Sequence, residues 1–170
     1  MSLPCFELFG LPVRFEVDLA ALEKAYRAAQ RGAHPDRVPQ GDARARLLAL
    51  QRAAAINEAY RILKDPMRRA EELLRRKGIV LGDDTRMDPE FLRDLLDQRE
   101  SLEEAKRARD LGRVRALGAR IDRSREAALA RLVAGLDGAD VDLADAYARL
   151  KYFARFLDEV ASIEEQAAEG

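Results

Sequence analysis

The sequence is poor in the residues that build metal sites and disulfide frameworks. Its 170 residues include one cysteine, Cys5, and one histidine, His34. One cysteine excludes an intrachain disulfide, and one cysteine beside one histidine cannot complete a tetrahedral structural zinc site. We therefore expect no metal site and no cofactor of the protein's own.

Long apolar runs are missing as well. No segment is apolar for long enough to cross a membrane. The start, MSLPCFELFG, has neither the basic region nor the long apolar stretch of a signal peptide. We expect a cytoplasmic protein that has no membrane partner.

Aromatic residues are scarce, and their scarcity bears on fold class. They make up 6% of the chain, with no tryptophan, whereas hydrophobic residues make up 48% and charged residues 36%. A sequence with this much Ala, Leu, Arg and Glu is typical of a helical protein. No segment shows the alternating pattern of a strand. The expected fold class is all-α.

The chain also lacks a large net charge, which is −1. This gives no reason to expect a nucleic-acid partner, because phosphate binding needs a concentrated positive surface. The charge is unevenly distributed, however. Residues 1–77 carry 15 Lys/Arg and 10 Asp/Glu, a net +5, and residues 78–170 carry 15 and 21, a net −6. Two modules that face two different partners are indicated.

Three helices are predicted in a first domain over residues 1–77. They run from the N-cap Asp18 to about 31, from near 42 to about 64, and from the N-cap Asp65 to a stop at Gly78. In the second of these helices, the residues expected in the core are Leu47, Leu50, Ala54, Ile56, Ala59, Tyr60 and Leu63.

A connector rich in turn formers, residues 78–88, coincides with the change in charge sign. Three amphipathic helices with short connections follow, which predicts an antiparallel three-helix bundle over residues 89–170. The first of them opens at Asp88 and Pro89, and the second ends at Gly135. The residues that the last helix is expected to bury are Leu143, Tyr147, Leu150, Ala154, Leu157 and Ala161.

The single histidine lies in a loop between the first two predicted helices, as the tripeptide His34-Pro35-Asp36. A general acid or base would need a nucleophile or a substrate pocket around it, and the sequence offers neither a nucleophile elbow nor a Gly-rich phosphate loop. We therefore expect no catalytic residue and no enzyme activity. A metal-ligand role lacks further imidazole or thiolate ligands. Two readings stay open: a recognition element held by a stiff turn, and a turn with no further role.

A basic stripe precedes this loop. Lys24, Arg27 and Arg31 gather on one side of the predicted helix, opposite its apolar residues. Such a stripe alone is typical of a solvated face. In context, the helix, the HPD tripeptide and a second helix that ends in INEAYRIL resemble a J domain, the module by which co-chaperones engage DnaK-class chaperones. The resemblance implies that His34, Pro35 and Asp36 couple docking to the chaperone's ATP hydrolysis and that the stripe supplies a charged docking face.

The helix from Pro89 carries two apolar lines. Its core line passes through Phe91, Leu95, Leu102 and Ala105, whereas Leu92 and Leu96 lie about 100° and about 140° round from Phe91. On the last helix, Tyr152 and Phe156 are expected to face away from the line of Leu143, Leu150 and Leu157. A second apolar stripe on a bundle suggests a binding surface, or else a contact with the first domain.

Four further stretches extend the resemblance over nearly the whole chain: FELFGLP, DPMRRAEELL, EFLRDLLDQRESLEEA and RLKYFARFLDEV. Their order and spacing resemble the HscB family, J proteins dedicated to iron–sulfur cluster assembly. This implies that the C-terminal helices bind an IscU-type scaffold protein and that an HscA/DnaK-type chaperone receives it. The scaffold-binding positions that carry over are Leu92, Leu96, Asp97, Arg99, Glu100 and Phe156.

Three departures and two alternatives accompany this resemblance. Arg93 stands where the family pattern has methionine, Val38 replaces an aromatic residue after the HPD loop, and Gly32-Ala33 lacks a bulky apolar residue before His34. A J-domain adaptor for a different client remains an alternative, as does a helical interaction protein in which HPD is only a turn. Because the apolar stripe already has an assigned partner, we expect a monomer.

Overall fold

The computed structural model describes residues 4–33, 42–79, 81 and 87–169. All regular secondary structure in these ranges is α-helical, which confirms the all-α prediction. The chain divides into two compact units, Met1–Ile79 and Val80–Gly170. The domain limits 1–77, 78–88 and 89–170 stay a prediction. The helices of the first unit are α1 (Cys5–Leu8), α2 (Leu19–Ala33), α3 (Ala43–Lys64) and α4 (Pro66–Arg76); those of the second are α5 (Pro89–Arg107), α6 (Leu111–Leu136) and α7 (Leu143–Glu169).

Aspartate side chains cap the start of each longer helix. In every case a carboxylate oxygen accepts a hydrogen bond from a backbone N–H of the first turn, which satisfies a donor that has no partner inside the helix. The predicted helix starts at Asp18, Asp42, Asp65 and Asp88 are thereby confirmed. The full set of capping residues is Asp18, Asp42, Asp65, Asp88, Asp110 and Asp142.

In the first unit, α2 and α3 form an antiparallel hairpin. The ring of Tyr26 stacks on that of Tyr60 with centroids 4.0 Å apart. One turn further along α2, Gln30 Nε2 donates to Asn57 Oδ1 at 2.9 Å. Because the residue number of the partner on α3 decreases as the residue number on α2 increases, the two helices run in opposite directions. The side chains that fill the core of this unit include Cys5, Phe6, Leu22, Ile56, Leu63 and Leu74.

The register of this hairpin corrects part of the predicted core. Ile56, Ala59 and Leu63 are buried as predicted, but Leu47 and Leu50 are exposed. Ala54 is exposed as well and Tyr60 is only partly buried. Gln30 of α2 pairs with Asn57 of α3, and only Arg31 to Ala33 follow Gln30 before α2 ends. Residues 43–51 of α3 therefore extend past the end of α2. Helical periodicity identifies an apolar face but not the length of the helix that covers it.

A buried arginine joins α4 to the end of α3. Arg69 Nε donates to the carbonyl of Leu63 at 2.7 Å, and its Nη1 donates to the carbonyl of Phe15 at 2.8 Å. The first of these carbonyls belongs to the last turn of α3, which has no partner inside the helix. Burial is the main cause that lowers the pKa of Arg69 from its ordinary value.

The second unit is an antiparallel three-helix bundle, as predicted. Phe91 near the start of α5 packs edge-on against Phe153 of α7, with ring centroids 5.8 Å apart. Toward the other end of α5, Arg99 pairs with Glu159 at 3.9 Å, so α5 and α7 are parallel. Helix α6 runs against both, since Arg115 near its start bonds Glu164 near the end of α7 at 2.7 Å.

The buried face of α7 differs from the predicted one. Tyr147 and Leu150 are buried as predicted, but Leu143, Ala154 and Leu157 are half-buried and Ala161 is exposed. The remaining buried apolar positions along the helix are Ala146, Phe153, Phe156, Val160 and Ile163. The large aromatic rings fill the space between the helices, and this rotates the helix away from the line of leucines and alanines.

Candidate functional site

The predicted basic stripe lies on the exposed side of α2. Lys24, Arg27 and Arg31 are all exposed. Arg27 Nε donates to Glu23 Oε1 at 2.8 Å, and the Tyr60 hydroxyl donates to the other oxygen of the same carboxylate. The Tyr60 hydroxyl first, and then Arg27, hold the pKa of Glu23 below its ordinary value. The charge of Arg27 is therefore partly compensated on its own helix.

The HPD tripeptide lies outside the described residues. His34, Pro35 and Asp36 follow α2 directly in the sequence, and α3 begins at Ala43. Their role in contacting a chaperone stays a prediction. Side-chain hydrogen bonds join α2 to α3; in one of them, the hydroxyl of Tyr26 donates to Asn57 Oδ1 at 3.0 Å. Asn57 belongs to the INEAYRIL stretch, so that part of the motif has a structural role here.

The second predicted surface lies on α5. Leu92 and Leu96 are 43% and 68% exposed, whereas Phe91 and Leu95 beside them are buried. The polar side chains predicted for the same surface, Asp97, Arg99 and Glu100, are exposed as well. We call these five exposed residues the α5 face. Two leucines within a charged border are the arrangement expected of a protein-binding surface, because an apolar centre supplies affinity and charges at the edge supply specificity.

Two side chains of α7, Tyr152 and Arg149, hold the α5 face in place. The Tyr152 hydroxyl donates to the Leu95 carbonyl at 3.3 Å. The Arg149 guanidinium lies over the ring of Phe91, 4.1 Å from its centroid. Burial is the main cause that raises the pKa of Tyr152, so this residue remains a neutral hydrogen-bond donor. Residue spacing alone gave no signal for this support, because it depends on how α5 packs against α7.

Phe156 does not lie on the α5 face, and its predicted exposure is wrong. Its side chain is only 1% exposed. Its ring packs 6.3 Å from that of Tyr152, which is only partly buried. Phe156 therefore supports Tyr152 from inside the bundle. A direct contact between Phe156 and a partner would require the bundle to open.

The described residues contain neither a metal-binding cluster nor a membrane-spanning helix. Among those residues, no group of three or more His, Cys, Asp or Glu side chains could hold a metal ion. No helix in the described part of the chain is both long enough and apolar enough to span a membrane. The Cys5 thiol is buried, and burial is the main cause that raises its pKa to about 11. This thiol is therefore a poor nucleophile at neutral pH.

Comparison with known proteins connects these surfaces to a family. Residues 87–161 match the family model described as the HSCB C-terminal oligomerisation domain. That description names oligomerisation, and the expectation of a monomer stays a prediction. A co-chaperone protein HscB homolog from Burkholderia multivorans is 44% identical over 161 residues, which cover 92% of this chain and 91% of the relative.

Solved structures agree with the sequence match. Chaperone HscB from Vibrio cholerae has a TM-score of 0.83 and 38% identity, and the match covers 98% of this chain and 99% of that one. The human co-chaperone protein HscB has a TM-score of 0.85 and 22% identity, with 94% and 81% covered, and supports the fold alone. Since a relative well above 30% identity is matched along nearly its whole length, this chain belongs to the HscB family of J-domain co-chaperones.

Proposed function

We propose that this co-chaperone is an adaptor for iron–sulfur cluster assembly. Its C-terminal bundle binds an IscU-type scaffold protein, and its J domain engages an HscA/DnaK-type chaperone and stimulates ATP hydrolysis by that chaperone. The observation that carries the proposal is the pair of exposed leucines on the α5 face, Leu92 and Leu96. This apolar pair lies on a different compact unit from the basic stripe of α2.

The basic stripe supports the chaperone half of the proposal. Residues 1–77 carry a net charge of +5, from 15 Lys/Arg and 10 Asp/Glu, and Lys24, Arg27 and Arg31 are exposed on one helix. A positive helix attracts an acidic surface at long range, which raises the association rate at low ionic strength. The proposed role of His34, Pro35 and Asp36 is to couple this docking to ATP hydrolysis.

The α5 face supports the scaffold half. Burial of exposed leucine side chains in a partner contributes roughly 25 cal/mol per Å² of apolar area removed from water. Asp97, Arg99 and Glu100 border the leucines with charges of both signs, which favours one orientation of the partner over others. Since the protein itself holds one cysteine, the cluster is cargo on the scaffold and not bound by this chain alone.

Tethering explains why both surfaces occur in one chain. A scaffold bound to the bundle is held at a raised effective concentration beside the chaperone that the J domain has engaged. Both partners are then present when ATP is hydrolysed. The chain needs no catalytic group of its own for this activity.

The test is a reconstituted ATPase assay with the specialised chaperone, the scaffold and this protein, each omitted in turn. We expect turnover to rise several-fold when this protein is added, and to rise further when the scaffold is present. The His34→Gln variant is expected to remove the stimulation while circular dichroism shows the same helix content, because the substitution changes one loop side chain.

The outcomes separate the parts of the proposal. Equal turnover with and without this protein would contradict the chaperone half. Stimulation without any binding of the scaffold would instead favour a J-domain adaptor for a different client protein. Stimulation that survives His34→Gln would remove the HPD tripeptide from the mechanism.

A further inference from the structure

An exposed apolar patch lies on the N-terminal turns of α3. Leu47, Leu48 and Leu50 are 55%, 58% and 51% exposed. Single exposed leucines are common on protein surfaces, but three within four positions of one helix form a continuous apolar area. We call these three residues the α3 patch. It lies in the first unit and is separate from the α5 face.

The orientation of this part of α3 is the reverse of a usual amphipathic helix. At 100° per residue, the three leucines span an arc of about 160°. The opposite side carries Ala45, Ala49 and Ala53, which are partly buried, while the leucines face outward. Burying a leucine side chain stabilises a fold, so a helix that leaves three leucines exposed loses much of that stabilisation. Such an exposed area is typical of a surface that a partner covers.

The charges around the patch select the chemistry of that partner. Arg44, Arg46 and Arg52 are exposed on the same helix, and residues 43–57 contain no aspartate or glutamate. Arg44 falls within the arc of the leucines, and Arg52 lies close to its edge. The complementary surface is therefore apolar at its centre and acidic at its border.

The position of the patch connects it to the basic stripe of α2. Gln30 lies beside Asn57, so Arg31 to Ala33, the end of α2, lie level with about residues 54–56 of α3. The α3 patch begins about one turn beyond that level, past the end of α2. Arg31, at the C-terminal end of the basic stripe, therefore lies at the same end of the hairpin as the α3 patch, and both suit an acidic partner.

We propose that the α3 patch is a second docking contact for the same chaperone, resting on the proposed function. Leu47, Leu48 and Leu50 insert into an apolar area of the chaperone whose acidic border pairs with Arg44 and Arg52. The α3 patch strengthens docking to the chaperone, whereas the HPD loop couples docking to ATP hydrolysis. Loss of the patch therefore weakens docking and leaves the maximal ATPase rate unchanged.

The test uses the full chain with Leu47→Gln and Leu50→Gln combined, since glutamine keeps the helix propensity of this segment. We expect the concentration that gives half-maximal ATPase stimulation to rise at least tenfold, with the same maximal rate. Leu19→Gln is the matched control, because Leu19 is a similarly exposed leucine at the far end of the hairpin. It is expected to leave that concentration within twofold.

Each other outcome overturns the inference. Normal half-maximal stimulation by the double variant refutes the α3 patch as a contact and leaves the proposed function intact. A melting temperature lowered by many degrees would show that the leucines pack within the chain. Loss of a concentration-dependent dimer with unchanged stimulation would assign the patch to a second copy. Failure of the unmodified protein to stimulate the chaperone would contradict the proposed function and this inference together.

Discussion

Leu96 and Phe156 were both candidates for the scaffold surface, and their burial assigns them different roles. Leu96 projects from the α5 face, whereas Phe156 is enclosed by the bundle. A truncated surface leucine loses contact with a partner, but a truncated buried phenylalanine leaves a cavity in the fold. The two side chains can therefore be distinguished by comparing stability with binding.

Phe156→Ala is expected to lower the free energy of unfolding by about 3–5 kcal/mol, because it removes a fully enclosed ring. Leu96→Ala is expected to change stability by less than about 0.5 kcal/mol and to weaken scaffold binding by about 1–2 kcal/mol. Chemical unfolding followed by circular dichroism measures the first quantity, and titration calorimetry with the scaffold measures the second. Unchanged stability of Phe156→Ala would contradict its buried placement.

Two glycines of α6 also act at the level of single residues. A Cβ on Gly118 would lie 3.0 Å from Val160 Cγ1, and one on Gly135 would lie 2.7 Å from Leu143 Cδ2. Glycine inside a helix costs about 1 kcal/mol relative to alanine, and Gly118 lies inside α6. Its packing supplies the compensating reason, since the missing side chain lets α7 approach α6 closely.

At the scale of elements, an ion pair holds the short helix α1 against α4. Arg76 Nη1 and Nη2 donate to the two carboxylate oxygens of Glu7, each at 2.8 Å. The same guanidinium lies over the ring of Phe6, 5.4 Å from its centroid. A helix of one turn has little stability by itself, so these contacts and the burial of Phe6 keep α1 in place.

This pair makes the attachment of α1 depend on pH. The hydrogen bonds from Arg76 are the main cause that lowers the pKa of Glu7 from 4.5 to about 2. A depressed carboxylate pKa contributes stability above the unfolded-state value near 4.5, and this contribution is lost as the pH falls toward 2. Because Glu7 is more than half exposed, screening limits the effect to about 1 kcal/mol or less.

Glu7→Gln is expected to lower hydrogen-exchange protection of the Leu11 amide, which donates to the Phe6 carbonyl at 2.9 Å. The loss relative to the unmodified protein is expected to be about threefold to fivefold at pH 7. It should shrink steadily below pH 4.5, because the glutamate of the open state, whose pKa has its ordinary value, takes up a proton that must be released before it pairs with Arg76. Glu16→Gln, in the same unit, serves as the control. A loss of protection that is independent of pH would contradict the role of the charge.

At the scale of the whole molecule, the α5 face and the J-domain surfaces lie on separate compact units. Each surface can then be altered without disturbing the fold of the unit that carries the other surface. This separation is what an adaptor requires, because one protein can be released while the other stays bound. It also allows the two halves of the proposed function to be uncoupled.

The combined variant Leu92→Ala and Leu96→Ala is expected to uncouple them. It should keep the ATPase stimulation that this protein gives alone, but lose most of the further increase that the scaffold brings, because the tether is weakened. Steady-state turnover with and without scaffold measures both quantities. His34→Gln is the converse control, which should still bind the scaffold. Loss of stimulation without scaffold in the leucine variant would contradict the separation of the two sites.

The sequence by itself determined the six longer helices, where most of them begin, and the family, but not the one-turn helix α1. Aspartate caps, Pro66 and Pro89 at the first helical positions, and the stop at Gly78 act through hydrogen bonds and backbone angles within a few residues, so local reading was sufficient. The exposure of Leu92 and Leu96 could also be predicted, because the core line of α5 is unambiguous.

Only the tertiary structure decided which apolar faces of α3 and α7 are covered. The end of α2 leaves Leu47, Leu48 and Leu50 exposed, and the packing of aromatic rings turns Phe156 of α7 inward. Both results depend on the length, register and rotation of a neighbouring helix. Helical periodicity specifies the direction in which a side chain points from its own helix axis. Burial also requires a second helix to lie against that side chain, and the position of the second helix is set by packing across the whole unit.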